Sequence, residues 1–314
     1  MNQNVPRKLL ITFDAFGTLF VPRLPIARQY GEVAATYGLS GFSEQDLQKS
    51  FRKAFKEEAK LRPNYGKASG MRAPEWWANI IRATFNPFLP RSQTTDLPNG
   101  LVHDLLVRFS SSDGYTLCPD VLPLLNAIRE TKQRRPYKRT EAWPWDLTVV
   151  GVVTNSDDRV PSILKSLGVD IGTRTVGNSK DLKSSELDKD ISFTVMSYDV
   201  GEEKPHPLIL HSAEELLQDT LRAEGLMDPE LGGARAPKLS KQLEDFHYVH
   251  VGDDKKDVEA AKNAGWNSIW LDRDGVDTRN IPEGPEGAKQ TIIARDLSRI
   301  HHWRPEMSSQ SNGP

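Results

Sequence analysis

The chain has a single cysteine, Cys118, in 314 residues. One thiol excludes a disulfide framework within the chain and a Cys-x-x-Cys metal site, and it suits a reducing compartment: cytoplasmic, with the nucleus left open. An excess of charge of one sign is also missing, since 41 Lys and Arg stand against 43 Asp and Glu for a net −2. That balance gives no electrostatic case for a nucleic acid or an anionic membrane as partner. No stretch approaches the ~18 apolar residues that signal a membrane span. The opening "MNQNVPRKLL" has no secretory pattern. Hydrophobic residues make up only 37%, which predicts polar insertions around an ordinary core.

What is present is an alternation of strands and helices. Short apolar runs predict strands at Leu9–Phe13, Leu147–Val153, Phe193–Met196, Tyr248–Val251 and Ser268–Leu271. Their continuous apolar character suits strands covered on both faces. Helical patterns lie between them: one from Pro119 with Val121, Leu122, Leu125 and Ile128 on one face, then Asp157–Leu167, Pro207–Glu224 and Asp254–Ala264. The expected fold is an α/β Rossmann-like parallel sheet with function at the carboxyl ends of its strands.

Residues 22–113 break the alternation with four helical patterns and no strand. Ile26, Tyr30, Val33 and Tyr37 share one face, and Leu47, Phe51, Ala54 and Phe55 another. Trp77, Ile80, Ile81 and Phe85 make a third, and Leu101, Leu105 and Phe109 a fourth. Ser43 is an expected N-cap and Pro74 a first-turn proline. A helical cap at 22–113 is therefore expected over a core of 1–21 and 114–303, with 304–314 a frayed tail. The stretches 132–146, 173–190 and 225–242 read as solvated insertions.

Polar residues then gather where the strands end: Asp14 with Gly17-Thr18, Thr154-Asn155-Ser156, Lys204, and Asp253, Asp254 and Asp257. Each has a plain structural explanation. Asp14 could serve the turn at Gly17, the Thr-Asn-Ser run could cap a helix, Lys204 could be a surface lysine, and Asp253 and Asp254 could face a helix N-terminus. A parallel sheet, however, brings all four ends to one crevice. There they supply a carboxylate nucleophile, hydroxyl and amide donors, a cation and an acidic cluster, an inventory suited to a phosphoryl group on Mg²⁺. Carboxylates crowded together need Lys204 and a metal as counter-ions.

The order Asp-x-x-Gly-Thr-Leu, Thr-Asn, Lys-Pro, Gly-Asp-Asp-x-x-x-Asp resembles the haloacid dehalogenase (HAD) superfamily, across nearly the whole chain. "PNYGKASGMRAPEWWANIIRATF", "VVTNSDDR", "GEEKPHPLIL" and "HVGDDKKDVEAAKNAGW" are similar to the group named for haloacid dehalogenase-like hydrolase domain-containing protein 3. The resemblance implies an aspartyl intermediate on Asp14 and a small phosphorylated substrate. Thr154 and Lys204 would contact the phosphate, with Gly17, Thr18 and Asn155 against substrate. Mg²⁺ would be held by Asp14, the Phe16 carbonyl and Asp253, with Asp254 or Asp257 in support. It names no protein partner.

Phe16 departs from the pattern. Phosphatases of the superfamily carry Asp there, and such general acid–base help is typically worth ~10²–10⁴-fold. Three readings follow: a hydrolase restricted to good leaving groups or with its acid elsewhere, a catalytically weak or inactive binding protein, or a 2-haloacid dehalogenase. The last carries an aromatic residue at this position but works without Mg²⁺ and without the acidic cluster. Lesser candidates read more simply: His206 as a helix start, Arg28 and Arg72 as solvated, Cys118 as packing, and His247 and His250 as lacking a third zinc ligand. Of Trp76 and Trp77, only one can face the crevice.

Overall fold

The computed structural model describes residues 7–89, 97–134, 136–178, 186–227, 243, 245–275 and 291–304. Seven strands form one parallel sheet: β1 (Lys8–Phe13), β4 (Leu147–Thr154), β5 (Ile171–Thr175), β6 (Ile191–Met196), β7 (Phe246–Gly252), β8 (Asn267–Leu271) and β9 (Thr291–Ala294), in the order β5-β6-β4-β1-β7-β8-β9. Every residue of β4 is buried, as the apolar run "LTVVGVVT" requires of a strand with helices on both faces. Those helices are α5 (Val121–Lys132), α6 (Arg159–Ser166), α7 (Ser197–Val200), α8 (Leu208–Ala223) and α9 (Lys255–Asn263). Because the sheet is parallel, Asp14, Thr154 and Asp253 fall at the same edge, at the ends of three adjacent strands.

The chain leaves this core through β2 (Phe20–Pro22) and returns through β3 (Tyr115–Leu117), which pair antiparallel as a narrow neck. Between them stand α1 (Ile26–Thr36), α2 (Glu44–Leu61), α3 (Ala73–Phe85) and α4 (Asn99–Arg108), a helical cap inserted after the first strand. Ser43 opens α2 with a reciprocal capping box to Asp46, and Pro74 sits in the first turn of α3. Tyr30, Leu47, Ile81, Phe85 and Leu101, from all four helices, share one buried cluster with the strands below, so the cap is packed onto the core rather than hung from it.

Several expectations need correction. Trp143 and Trp145, in the stretch read as a solvated insertion, are 0% and 1% exposed. Trp143 Nε1 donates to Thr148 Oγ1 at 2.7 Å, and Trp145 stacks on Trp303 with centroids 5.7 Å apart. A basic surrounding composition concealed two core residues. The 173–190 stretch begins inside β5, an edge strand whose sequence "IGTRT" has too little apolar character to announce itself. In α5, Leu122 is 40% exposed and Leu124 is buried instead. The expected tail beyond residue 304, most of 225–242 and residues 179–185 lie outside the described residues. Among the described residues no helix is long and apolar enough to cross a membrane.

Candidate active site

The site grows from the turn after β1. Asp14 N donates to Val251 O at 2.8 Å, extending the ladder to β7 and carrying the carboxylate just past the sheet edge. Gly17 then takes φ +75°, a region that favours glycine, and its N–H closes the turn on Phe20 O at 3.0 Å. A Cβ at Gly17 would overlap the Asp253 carboxylate, which fills that space. Thr18, fully buried, donates from Oγ1 to Asp253 Oδ1 at 3.0 Å. Gly17 and Thr18 were expected against substrate; here they seat Asp253. Gly17→Ala should therefore destabilise by about 1–3 kcal/mol through strain at positive φ plus displacement of Asp253, measurable as a lowered denaturation midpoint. An unchanged midpoint contradicts this role.

Lys204 is the centre of charge. Its side chain is 3% exposed, and Nζ lies 2.7 Å from Asp14 Oδ1, 2.6 Å from Asp257 Oδ1 and 2.9 Å from Val153 O. Burial alone would lower its pKa, but Asp14 and Asp257 outweigh that and hold the ammonium above its ordinary range. Asp257, although buried, is held well below the carboxylate range by Lys204 and by the hydrogen bond from His250. Asp14 moves the other way: burial raises it and Asp257 adds to the rise, while Lys204 and a hydrogen bond from Thr154 oppose them. Asn155 faces the cavity but spends its amide on the Lys204 backbone, accepting from N at 2.6 Å and donating to O at 3.0 Å. It fixes the Lys204 backbone, leaving its second amide N–H to the cavity side.

The three aspartates of the fourth motif separate. Asp14, Asp253 and Asp257 offer oxygens that lie within 4.8 Å of one another. Asp254 points its side chain back to cap α9, accepting from Lys256 N at 2.8 Å. Asp257 has both oxygens engaged, Oδ1 by Lys204 and His250 and Oδ2 by Asp254 N. Asp253 stands at the exposed rim. Desolvation beside the site, with the Asp14 charge adding, pushes its carboxyl up to about 6. Three carboxylates against one ammonium leave excess negative charge, and a divalent cation fits that donor set.

Because the folded protein raises Asp253 above the ordinary carboxylate value, it takes up its proton at a milder acidity than a free carboxylate, and protons compete with a cation below about 6. Added Mg²⁺ should accordingly raise the melting temperature more near pH 7.5 than near pH 5, and Asp253→Asn should remove most of that rise. Equal shifts at the two pH values would contradict the competition.

Sequence reasoning missed several supporting residues. His250, read as a histidine without a site, is fully buried beneath Asp257. Thr12 and His250 Nδ1 are 2.8 Å apart and His250 Nε2 and Asp257 Oδ1 3.2 Å. Burial lowers its pKa, and the neutral ring, accepting from Thr12, donates through Nε2–H to Asp257. Arg273 donates to the carbonyls of Gly17 and Thr18 at 3.2 and 2.9 Å while paired with Asp120, so it clamps the turn after β1. Asp157 pairs with Arg159 at 2.7 Å and accepts from Trp77 Nε1 at 2.9 Å, tying cap to core. Only the spacing "NSDDR" hinted at that pair. His206 accepts from Leu208 N on the surface, and Arg28 and Arg72 pair with Glu32 and Glu75.

Above this floor lies a cavity of about 520 Å³, walled by the cap and partly open to solvent. Phe16 turns its ring into the cavity wall, 5.2 Å from Tyr115 at 90°. From there Phe109, Tyr30 and Phe51 follow at centroid spacings of 5.8, 5.6 and 5.4 Å. Phe55, Trp77 and Tyr65 continue the chain of rings at 6.1, 5.9 and 6.2 Å. It returns to the core where Tyr65 Oη donates to Asn155 O at 2.9 Å. Trp77, not Trp76, faces the cavity; Trp76 is 2% exposed and donates to Arg62 O.

A capped parallel sheet with Asp14 and Lys204 joined at its carboxyl edge is the architecture of the haloacid dehalogenase-like hydrolases. The sequence model of that family, described as haloacid dehalogenase-like hydrolase, matches residues 9–265, and the chain belongs to it. Relatives include the uncharacterized protein YMR130W of Saccharomyces cerevisiae, 30% identical over 86% of this chain and 73% of its own. Haloacid dehalogenase-like hydrolase domain-containing protein 3 of Xenopus laevis is 26% identical over 83% of each chain. Among solved structures, the HAD-hydrolase YfnB of Bacillus subtilis, bound to magnesium, superposes with a TM-score of 0.54 at 13% identity, covering 94% of this chain and 98% of that one. At that identity the likeness is one of fold.

Proposed function

We propose that the protein is a Mg²⁺-dependent phosphoryl hydrolase acting on small molecules through an aspartyl-phosphate on Asp14, restricted by Phe16 to substrates with good leaving groups. The observation that carries the reading is the buried Lys204 bridging Asp14 and Asp257 beside the rim carboxylate Asp253. Asp14, Asp253 and the Phe16 carbonyl are the groups that would hold the cation, with Asp257 bracing Lys204 and Asp254 left to its helix. Bound Mg²⁺ would supply charge neutralisation for the phosphoryl oxygens.

Lys204 and Thr154 orient Asp14 and the phosphoryl group. An Asp14 oxygen attacks phosphorus; an O–P bond forms as the bond to the leaving group breaks, and the leaving group carries away the electron pair. A carboxylate leaving group, as from an acyl phosphate, needs no proton. An alkoxide does, and Phe16 has none to give. Water then adds to phosphorus, the Asp14–phosphoryl bond breaks, and the water proton leaves with inorganic phosphate. Asp14 is restored as carboxylate.

The test is phosphate release from acetyl phosphate and from alkyl phosphate monoesters, with and without Mg²⁺, beside Asp14→Asn. Release from acetyl phosphate that needs both Mg²⁺ and Asp14 supports the reading. No release above Asp14→Asn from any compound sinks it. A second reading, a binding protein with little turnover, is favoured by one observation, the packed Phe16 ring where an acid would stand. The dehalogenase reading is disfavoured by Asp253, a third carboxylate beside Asp14 and Asp257 whose negative charge a cation would offset.

A further inference from the structure

Beyond its floor, the cavity has an unusual chemical poverty. Every cap residue lining it is aliphatic or aromatic, from Ile26 and Tyr30 to Leu106 and Phe109. Of the cations that line it, the exposed Lys256 stands on the floor side, in the first turn of α9, and Arg159 is not available to a ligand's charge. Its guanidinium is paired with Asp157 at 2.7 and 2.9 Å and lies 4.3 Å from the Trp77 ring centre. Tyr65 has committed its hydroxyl to Asn155 O. Tyr30 and Tyr115, each 3% exposed, carry the wall's uncommitted hydroxyls among the described residues. They suffice for one hydrogen-bonding group on a ligand and not for a polyol.

A sugar or a second phosphate set against the cap walls would place hydroxyls or charge beside apolar rings, away from Ser156 and Lys256 on the floor side, and desolvating such groups with few partners is costly. A flat apolar body would instead meet ring faces and edges on several sides. The volume, about 520 Å³, is that of a small-molecule pocket and exceeds what a phosphoryl group alone occupies.

We infer that the substrate class is a phosphorylated compound with an uncharged, ring-sized apolar or aromatic body, the phosphoryl group on Asp14 and Lys204 and the body inside the aromatic enclosure. The inference rests on the phosphoryl reading of the floor and adds the identity of what the cap selects. Phe55 is the residue to alter, because it lines the enclosure while 38% exposed, so the fold tolerates its replacement.

Binding rather than turnover separates body selection from leaving-group effects. Calorimetric titration of the full chain with Mg²⁺ would compare methylphosphonate, benzylphosphonate and 2,3-dihydroxypropylphosphonate. Burial of one ring should make benzylphosphonate at least ~10-fold tighter than methylphosphonate, with the dihydroxypropyl compound no tighter than methyl. Phe55→Ser should shrink the benzyl-to-methyl ratio severalfold, and Phe55→Leu should retain most of it. Three affinities within about threefold, or a preference for the diol, overturn the inference while leaving the phosphoryl reading intact. Failure of all three to bind overturns both.

Discussion

Lys204→Met is expected to lower kcat/KM for acetyl phosphate by ~10²–10³-fold, the scale of losing one preorganised charge at a reacting centre. It should also destabilise the protein by about 3 kcal/mol, because breaking a buried ion pair leaves its partners uncompensated. Both effects come from one geometry. The ammonium is 3% exposed and sits between two carboxylate oxygens at 2.7 and 2.6 Å, with Val153 O as third acceptor. Without it, Asp14 and Asp257 face each other in a site that already raises Asp14 by burial. One of the two must take up a proton, and a protonated Asp14 is no nucleophile. Lys204→Arg should not restore the rate, since a planar fork cannot reproduce a point charge held among three oxygens. Kinetics together with chemical denaturation checks both halves. Near-normal turnover in Lys204→Met would remove the lysine from the mechanism.

Phe16→Asp is the second large effect and runs in the opposite direction. Supplying a carboxyl two residues after the nucleophile should raise hydrolysis of alkyl phosphate monoesters by ~10²-fold or more, within the usual range for general acid–base help. Hydrolysis of acetyl phosphate should change far less, because its leaving carboxylate departs without a proton. The substitution also costs stability. Phe16 makes edge contacts to Phe20 at 4.9 Å and Tyr115 at 5.2 Å, and aromatic pairs of this kind contribute about 0.5–1.5 kcal/mol each. A gain confined to monoesters identifies the leaving-group step as what Phe16 limits. Equal gains on both substrates, or none on either, would place the limit elsewhere.

Phe16 also shows where sequence reading reaches and where it stops. That it cannot donate a proton is plain from its identity. That its ring opens an aromatic enclosure running through the cap and back to Asn155 is not, because the eight rings are spread from residue 16 to residue 115. The strands β1, β4, β6, β7 and β8 were legible as unbroken apolar runs. β2, β3, β5 and β9 were not: they are three to five residues long, and the polar residues in "YTL" and "IGTRT" give them no pattern of their own.

At the site, parallel-sheet logic brought Asp14, Thr154, Lys204 and Asp253 to one edge. Spacing could not separate Asp254 from Asp257. Their difference lies in rotation about the first turn of α9, where one caps the helix and the other turns inward to Lys204 and His250. The roles of Gly17, Thr18 and Asn155 as supports for Asp253 and Lys204 depend on contacts between residues 49 to 236 positions apart. No local motif records such contacts. Trp143 and Trp145 were hidden for a simpler reason, since the charged residues around them dominate the composition of their stretch.

The most direct test asks whether Asp14 becomes phosphorylated. The protein would be mixed with acetyl phosphate and Mg²⁺, quenched in acid within the first turnover, digested and analysed by mass spectrometry. A phosphoryl adduct on the peptide bearing Asp14, absent from Asp14→Asn and decaying when the quench is delayed, is the expected result. Phosphate release with no adduct on that peptide at any quench time, or release undiminished in Asp14→Asn, would contradict an aspartyl-phosphate mechanism at this site.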